Sequence, residues 1–197
     1  MILWLKGIVF NVTTVDKTAT PRDLREIAPG TNPPFLLFNG EVLTDVMKIE
    51  DFLEAELNPP KYPRLACRQA ESTVAGNDVF QKFSAWIKDS NDNKMISDRF
   101  HNSLKRFNTF LNTPLGYAGE NVDTLGKSQR CFMDGDAMTL ADCNMLPKLH
   151  ILSVSGKWVR INILRMCTSF LPFLETWVIF VCRLPAECEK NGPYQKN

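Results

Sequence analysis

The chain has 197 residues and a formal net charge of +1, with 44% of its residues hydrophobic and 23% charged. That is the composition of an ordinary globular protein, long enough for one or two domains and a sizeable core. The balanced charge gives no support to nucleic-acid binding or to electrostatic capture by acidic lipid. Six cysteines, at 67, 131, 143, 167, 182 and 188, form no C-x-x-C pair, and the two histidines lack zinc-ligand spacing, so no metal site is expected. No secretory context accompanies the cysteines, and they are expected to be reduced in a cytoplasmic chain.

The opening "MILWLKG" has five apolar residues, then Lys6 and Gly7. It has no basic n-region and no small-residue cleavage site, and it is far below the ~20 apolar residues that span a bilayer. A cation followed by glycine reads as the end of a helix. Five residues are too few for a helix to form alone, so the opening is expected to be the last turn or two of a helix whose start is absent. The β-rich stretch 8–15 predicts a strand. Thr20 followed by Pro21 predicts a short helix running to Ile27, with Pro at its first position. "FLLFNGEVL" predicts two short strands around the tight turn Asn39-Gly40. Val46, Ile49, Phe52, Leu53 and Leu57 recur at helical spacing and predict the next helix.

Residues 58–65, "NPPKYPRL", read as a proline-rich linker. Beyond it the pattern is helical. Val79, Phe83, Trp86 and Ile87 share one face, and Phe100, Leu104, Phe107 and Leu111 share another. Phe80, Phe83 and Trp86 are read as core, and Lys105 and Arg106 as a solvated face. A polar, glycine-bearing loop covers 114–130. Thr139 then starts a helix as a capping-box residue, with Asp142 in the role of the box's Glu, and Met138 and Cys143 are placed to staple it. Pro147 predicts a kink within that helix. His101 is read as a solvated or capping imidazole, His150 as a hydrogen-bonded core residue, and Cys143 as a small core hydrophobe.

The order helix, strand, helix, strand, strand, helix, followed by helices alone, is carried by specific motifs. "MILWLKGIVFNVTTVD", "APGTNPPFLLFNGEV", "KIEDFLEAEL", "AGNDVFQKFSAWIK" and "MTLADCNMLPKLHIL" resemble the chloride intracellular channel family, which has a glutathione-transferase-like fold. The resemblance runs from Met1 to about Leu152, roughly three quarters of the chain. It implies an α/β plus all-α fold: a truncated thioredoxin-like domain over 1–58, a linker over 59–70, a helical transferase-like domain over 71–156, and a divergent tail over 157–197. It also implies a cytoplasmic protein able to associate with membrane lipid and contribute to chloride transport.

By position, the resemblance assigns a remnant glutathione site. Pro34 matches the cis-proline that turns its neighbour's backbone toward a peptide-like ligand. Without the resemblance, Pro33-Pro34 would read as a trans turn. Asp45 and Val46 match the residues that hold the γ-glutamyl end of glutathione, although Val46, where relatives often carry Ser or Thr, offers only its backbone. The family's nucleophilic cysteine precedes "MILWLKG" at a helix N-terminus, where the dipole favours the thiolate; this chain has no cysteine before Cys67. A catalytic residue is therefore not assigned, and no cofactor is expected beyond glutathione held at the remnant site. A glutathione-dependent oxidoreductase of glutaredoxin type and a non-catalytic scaffold stand as alternatives. A sheet without its first strand would expose an edge for self-association.

After Leu152 the resemblance stops. Residues 166–182 admit two readings. As a membrane segment, their eight strongly apolar residues would contribute about −2.4 to −4.8 kcal/mol on the insertion scale, and Glu175 would take back roughly +2.5 kcal/mol. Alternatively, the tail is a terminus produced by alternative splicing or an imperfect gene model.

Overall fold

A computed structural model describes residues 1–14, 33–117 and 120–155. The chain divides into two compact units, Met1–Ala66 and a second beginning at Cys67. The division, between Ala66 and Cys67, falls just after the proline-rich stretch 58–65.

The first unit opens with helix α1, Ile2–Leu5. Its end is set by Gly7, at φ +70°. Gly7 N–H donates to Trp4 O at 2.9 Å and Ile8 N–H to Leu3 O at 3.3 Å, the paired bonds of a Schellman motif. Residues 8–14 follow without forming a strand, which corrects the expectation for 8–15; Val15 lies outside the described residues. The β-branched sequence favours an extended backbone, but a strand exists only where a ladder partner exists. None of the described backbone supplies one, and Val9 is left 96% exposed. The expected helix beginning at Thr20 lies outside the described residues, as does segment 166–182.

Strands β1, Leu36–Phe38, and β2, Glu41–Leu43, form an antiparallel hairpin in the register Leu36↔Leu43, Leu37↔Val42, Phe38↔Glu41. The turn is Asn39-Gly40, with φ +49° and +86°. Positive φ at both central residues is the type I′ pattern, whose twist matches that of the strands. Helix α2, Val46–Glu56, packs back on the hairpin through Phe38 and Phe52, whose ring centroids lie 5.3 Å apart.

The second unit contains helices α3, Ala70–Val74, α4, Val79–Ile87, α5, Lys94–Asn112, and α6, Leu140–Val154. Phe100, Leu104, Phe107 and Leu111 are buried along one face of α5, and Val79 and Phe83 meet them from α4. Trp86 stacks on Phe100 at 5.2 Å. Ile87, expected on the same face, is exposed instead, because it sits at the last turn of α4. From α6 come Met145, Leu146, Leu149 and Leu152, all buried. The backbone of Gly76 lies so close to this core that a Cβ there would collide with Met145 Cε and sit 2.8 Å from Phe107 Cδ2. Helix α6 runs through Pro147 as one element.

Candidate functional site

The residues assigned to a glutathione site lie around the hairpin. The Pro33-Pro34 peptide is cis. The antiparallel register puts Pro34 two residues before β1 and Asp45 two residues after β2, so both stand beyond the same end of the ladder. Both are exposed. Asp45 is the N-cap of α2, and its Oδ1 accepts from Lys48 N–H at 3.0 Å. One carboxylate oxygen is thus committed to the helix start, where it satisfies an otherwise unpaired amide. Val46 begins the helix and is 47% exposed, with only its backbone to offer a ligand. The arrangement presents the amide-rich start of an 11-residue helix beside an exposed proline turn. Such a helix start favours a carboxylate or other anion, but here Asp45 already supplies one negative charge.

The second pair of assigned residues is internal. Thr139 caps α6, and Asp142 reaches back to it: Oδ2 accepts from Thr139 N–H at 2.8 Å and from Thr139 Oγ1–H at 2.9 Å. Asp142 Oδ1 accepts from Met133 N–H at 2.8 Å. Asp142 is 0% exposed. Burial pushes its carboxyl above the usual range, and the hydrogen bonds from Met133 and Thr139 pull part of the way back. The Cys67 thiol contacts Thr139 Oγ1 at 3.5 Å. The box fixes the start of α6 and the loop before it; it is a structural element with no access for a substrate.

Two arrangements were not legible in the residue pattern. Lys6 looked like a cation complementing the end of α1, yet it is only 2% exposed. Its Nζ donates to Leu57 O at 2.7 Å and Pro63 O at 3.0 Å, and it pairs with Glu54 Oε1 at 2.6 Å. In the second unit, the polar loop 114–130 is tied down by Arg130, which donates to Thr113 O at 2.6 Å and Phe110 O at 2.5 Å, capping α5. Glu120 faces Arg130 at 3.6 Å and accepts from Ser128 Oγ–H at 2.6 Å and Gly116 N–H at 2.8 Å. Nothing in the local spacing announces either pair, because both join residues distant in the chain. His101 Nδ1 bonds to Ser97 O at 2.7 Å on its own helix, a local capping contact. Among the described residues no group of acidic, Cys or His side chains could hold a metal ion.

Residues 1–60 match the family model for the CLIC-like N-terminal domain. The fold is similar to a glutathione transferase homologue from Burkholderia gl BGR1 solved with bound glutathione, with TM-score 0.50 and 20% identity over 90% of this chain and 85% of that one. It is also similar to a glutathione S-transferase from Caenorhabditis elegans, with TM-score 0.55 and 20% identity over 90% of this chain and 88% of that one. At this identity the two structures speak for the fold: a thioredoxin-like domain followed by a helical domain. Residues 1–60 thus match a CLIC-like N-terminal domain, and the chain as a whole has a fold similar to that of glutathione transferases.

Proposed function

We propose that this protein works as a chloride intracellular channel-like protein, a cytoplasmic form that associates with membrane lipid and contributes to chloride transport. The observation that carries the reading is the match of residues 1–60 to the CLIC-like N-terminal domain. Among the described residues no helix is long and apolar enough to cross a membrane. In this reading bilayer contact therefore falls first to segment 166–182, with Phe170, Phe173, Leu174, Val178 and Ile179 as its apolar content. The test is flotation with lipid vesicles together with chloride efflux from the same vesicles, using the full chain. The expected result is flotation with efflux, both reduced by the double substitution Val178→Asp, Ile179→Asp. Flotation without efflux would leave a membrane-binding protein and remove the channel reading.

A second reading, glutathione held at Pro34, Asp45 and Val46, draws on the register that gathers Pro34 and Asp45 at one end of the hairpin. The glutaredoxin-type chemistry that often goes with such a site needs a thiol there, and residues 1–66 contain no cysteine. Calorimetric titration with glutathione decides the point: saturable heat lost in Asp45→Ala supports a binding site, and heat unchanged by that substitution removes it.

A further inference from the structure

We propose that Lys6 and Glu54 form a latch that couples helix α1 to the strap formed by residues 57–66, so that the two hold or release together. Helix α1 has four residues, well below the length at which a helix is stable by itself, and none of them is buried. Among the described residues its firmest anchor is the next residue, Lys6, whose side chain is fully buried.

The ammonium donates hydrogen bonds to Leu57 O at 2.7 Å and Pro63 O at 3.0 Å and lies in an ion pair 2.6 Å from Glu54 Oε1. Glu54 closes the strap from the other side, with Oε2 accepting from Leu65 N–H and Ala66 N–H at 3.2 Å each. Glu54 Oε1 has no hydrogen-bond partner among the described residues, so the ion pair with Lys6 is its polar contact there. One ion pair thus gathers both ends of the strap and the end of α1. The strap has little else: residues 58–61 are exposed, and Leu65 is its one buried apolar side chain. If Lys6 leaves, a part-buried carboxylate and two carbonyls lose their shared cation, a state that buried charges do not tolerate. If the strap leaves, Lys6 loses two of its three partners, and α1 loses its anchor. Coupling of this kind is reciprocal. Any surface or partner that draws α1 outward therefore frees the strap, and any partner that holds the strap open loosens α1.

The experiment is hydrogen exchange by mass spectrometry on the full chain, with limited trypsin digestion at Lys61 and Arg64, both exposed on the strap. Lys6→Met should speed exchange at least tenfold in peptides covering 57–66 and raise tryptic cleavage there by a similar factor. Glu54→Gln keeps the side-chain shape and one acceptor oxygen. It should speed exchange in peptides covering 2–8, which lie far from it in sequence, as well as in the strap. Peptides from α2, α5 and α6 should keep the unmodified protein's protection in both variants. Faster strap exchange with α1 unchanged in Glu54→Gln would overturn the coupling. Loss of α2 protection in both variants would also overturn it, because the pair would then support the whole unit rather than latch two parts of it.

Discussion

The two units reach order by different means. In the second, order comes from apolar contact: Phe100, Leu104, Phe107, Leu146, Leu149 and Leu152 are all buried, and aromatic rings stack between α4 and α5. In the first, the buried apolar residues among those described are Leu53 and Leu65, and the most fully enclosed side chain is a lysine. There the order comes from a type I′ turn, a Schellman stop, a capped helix and an ion pair. Burial of apolar area is roughly additive and tolerant of detail, whereas hydrogen-bonded stops and a buried pair fail when a single partner is removed. The lesson is that one chain can carry a unit resistant to local change beside one whose ordering depends on a few polar contacts.

The sharpest way to break this comparison is to cut the two cores in parallel. Phe100→Ala removes a ring that contacts Phe83 and Trp86 at centroid distances of 5.7 and 5.2 Å. It should destabilise the second unit by about 3–5 kcal/mol, the usual cost of a fully buried aromatic truncation. Leu53→Ala in the first unit lies in a thinner core and should fall at the low end of the aliphatic range, about 2 kcal/mol. Chemical denaturation followed by tryptophan fluorescence and by far-UV circular dichroism measures both. Equal losses would mean that the first unit has an apolar core as effective as the second.

The next effect tests whether polar contacts matter in the second unit too. Asp142→Ala strips acceptors from Met133 N–H, Thr139 N–H and Thr139 Oγ1–H inside a site closed to water. Leaving buried donors unpaired should cost about 2–3 kcal/mol, with the start of α6 fraying. Hydrogen exchange of peptides beginning at residue 133 would show the fraying. A loss under about 1 kcal/mol would mean that water replaces the carboxylate there.

Much of this organisation was readable in the residues because it is local. Asn39-Gly40 announced the hairpin, Thr139 stood where a helix begins, and the 3.6-residue period of Phe100, Leu104, Phe107 and Leu111 matched the buried face of α5. What was not readable is non-local. The β-branched run 8–14 had strand propensity, but pairing depends on a partner that composition cannot supply. Lys6 and Glu54 are 48 positions apart, and nothing near either one distinguishes a buried pair from two surface charges. Arg130 likewise sat in a loop that looked merely polar, although it closes the end of α5. The candidate glutathione site came from likeness of motif rather than from chemistry visible in Pro34, Asp45 or Val46 themselves.

The smallest expected effect concerns acid, and it sets two carboxylates of the same unit against each other. Asp78 stands at the start of α4. Burial pushes its carboxyl up, but hydrogen bonds from Lys82 and Ser103 and the charges of Lys82 and Arg106 outweigh this and leave it below the usual value of 3.8. The folded protein therefore binds this proton less readily than the unfolded chain. The stability it contributes is fully present above the unfolded value of 3.8 and is lost as pH falls through the lowered folded value. Asp142 has the opposite sign: its raised carboxyl binds the proton more readily in the folded state, so its contribution declines as pH rises from 3.8 through the raised folded value. Asp78 is 41% exposed, and solvent screening holds the value of its ion pairs to about 1 kcal/mol or less. Asp78→Asn should thus lower stability by up to about 1 kcal/mol near pH 6 and by almost nothing near pH 2. Denaturation midpoints of the two proteins across that range measure the difference. A gap that persists undiminished in acid would show that Asp78 acts through its neutral hydrogen bond to Ser103, at 2.8 Å, rather than through its charge.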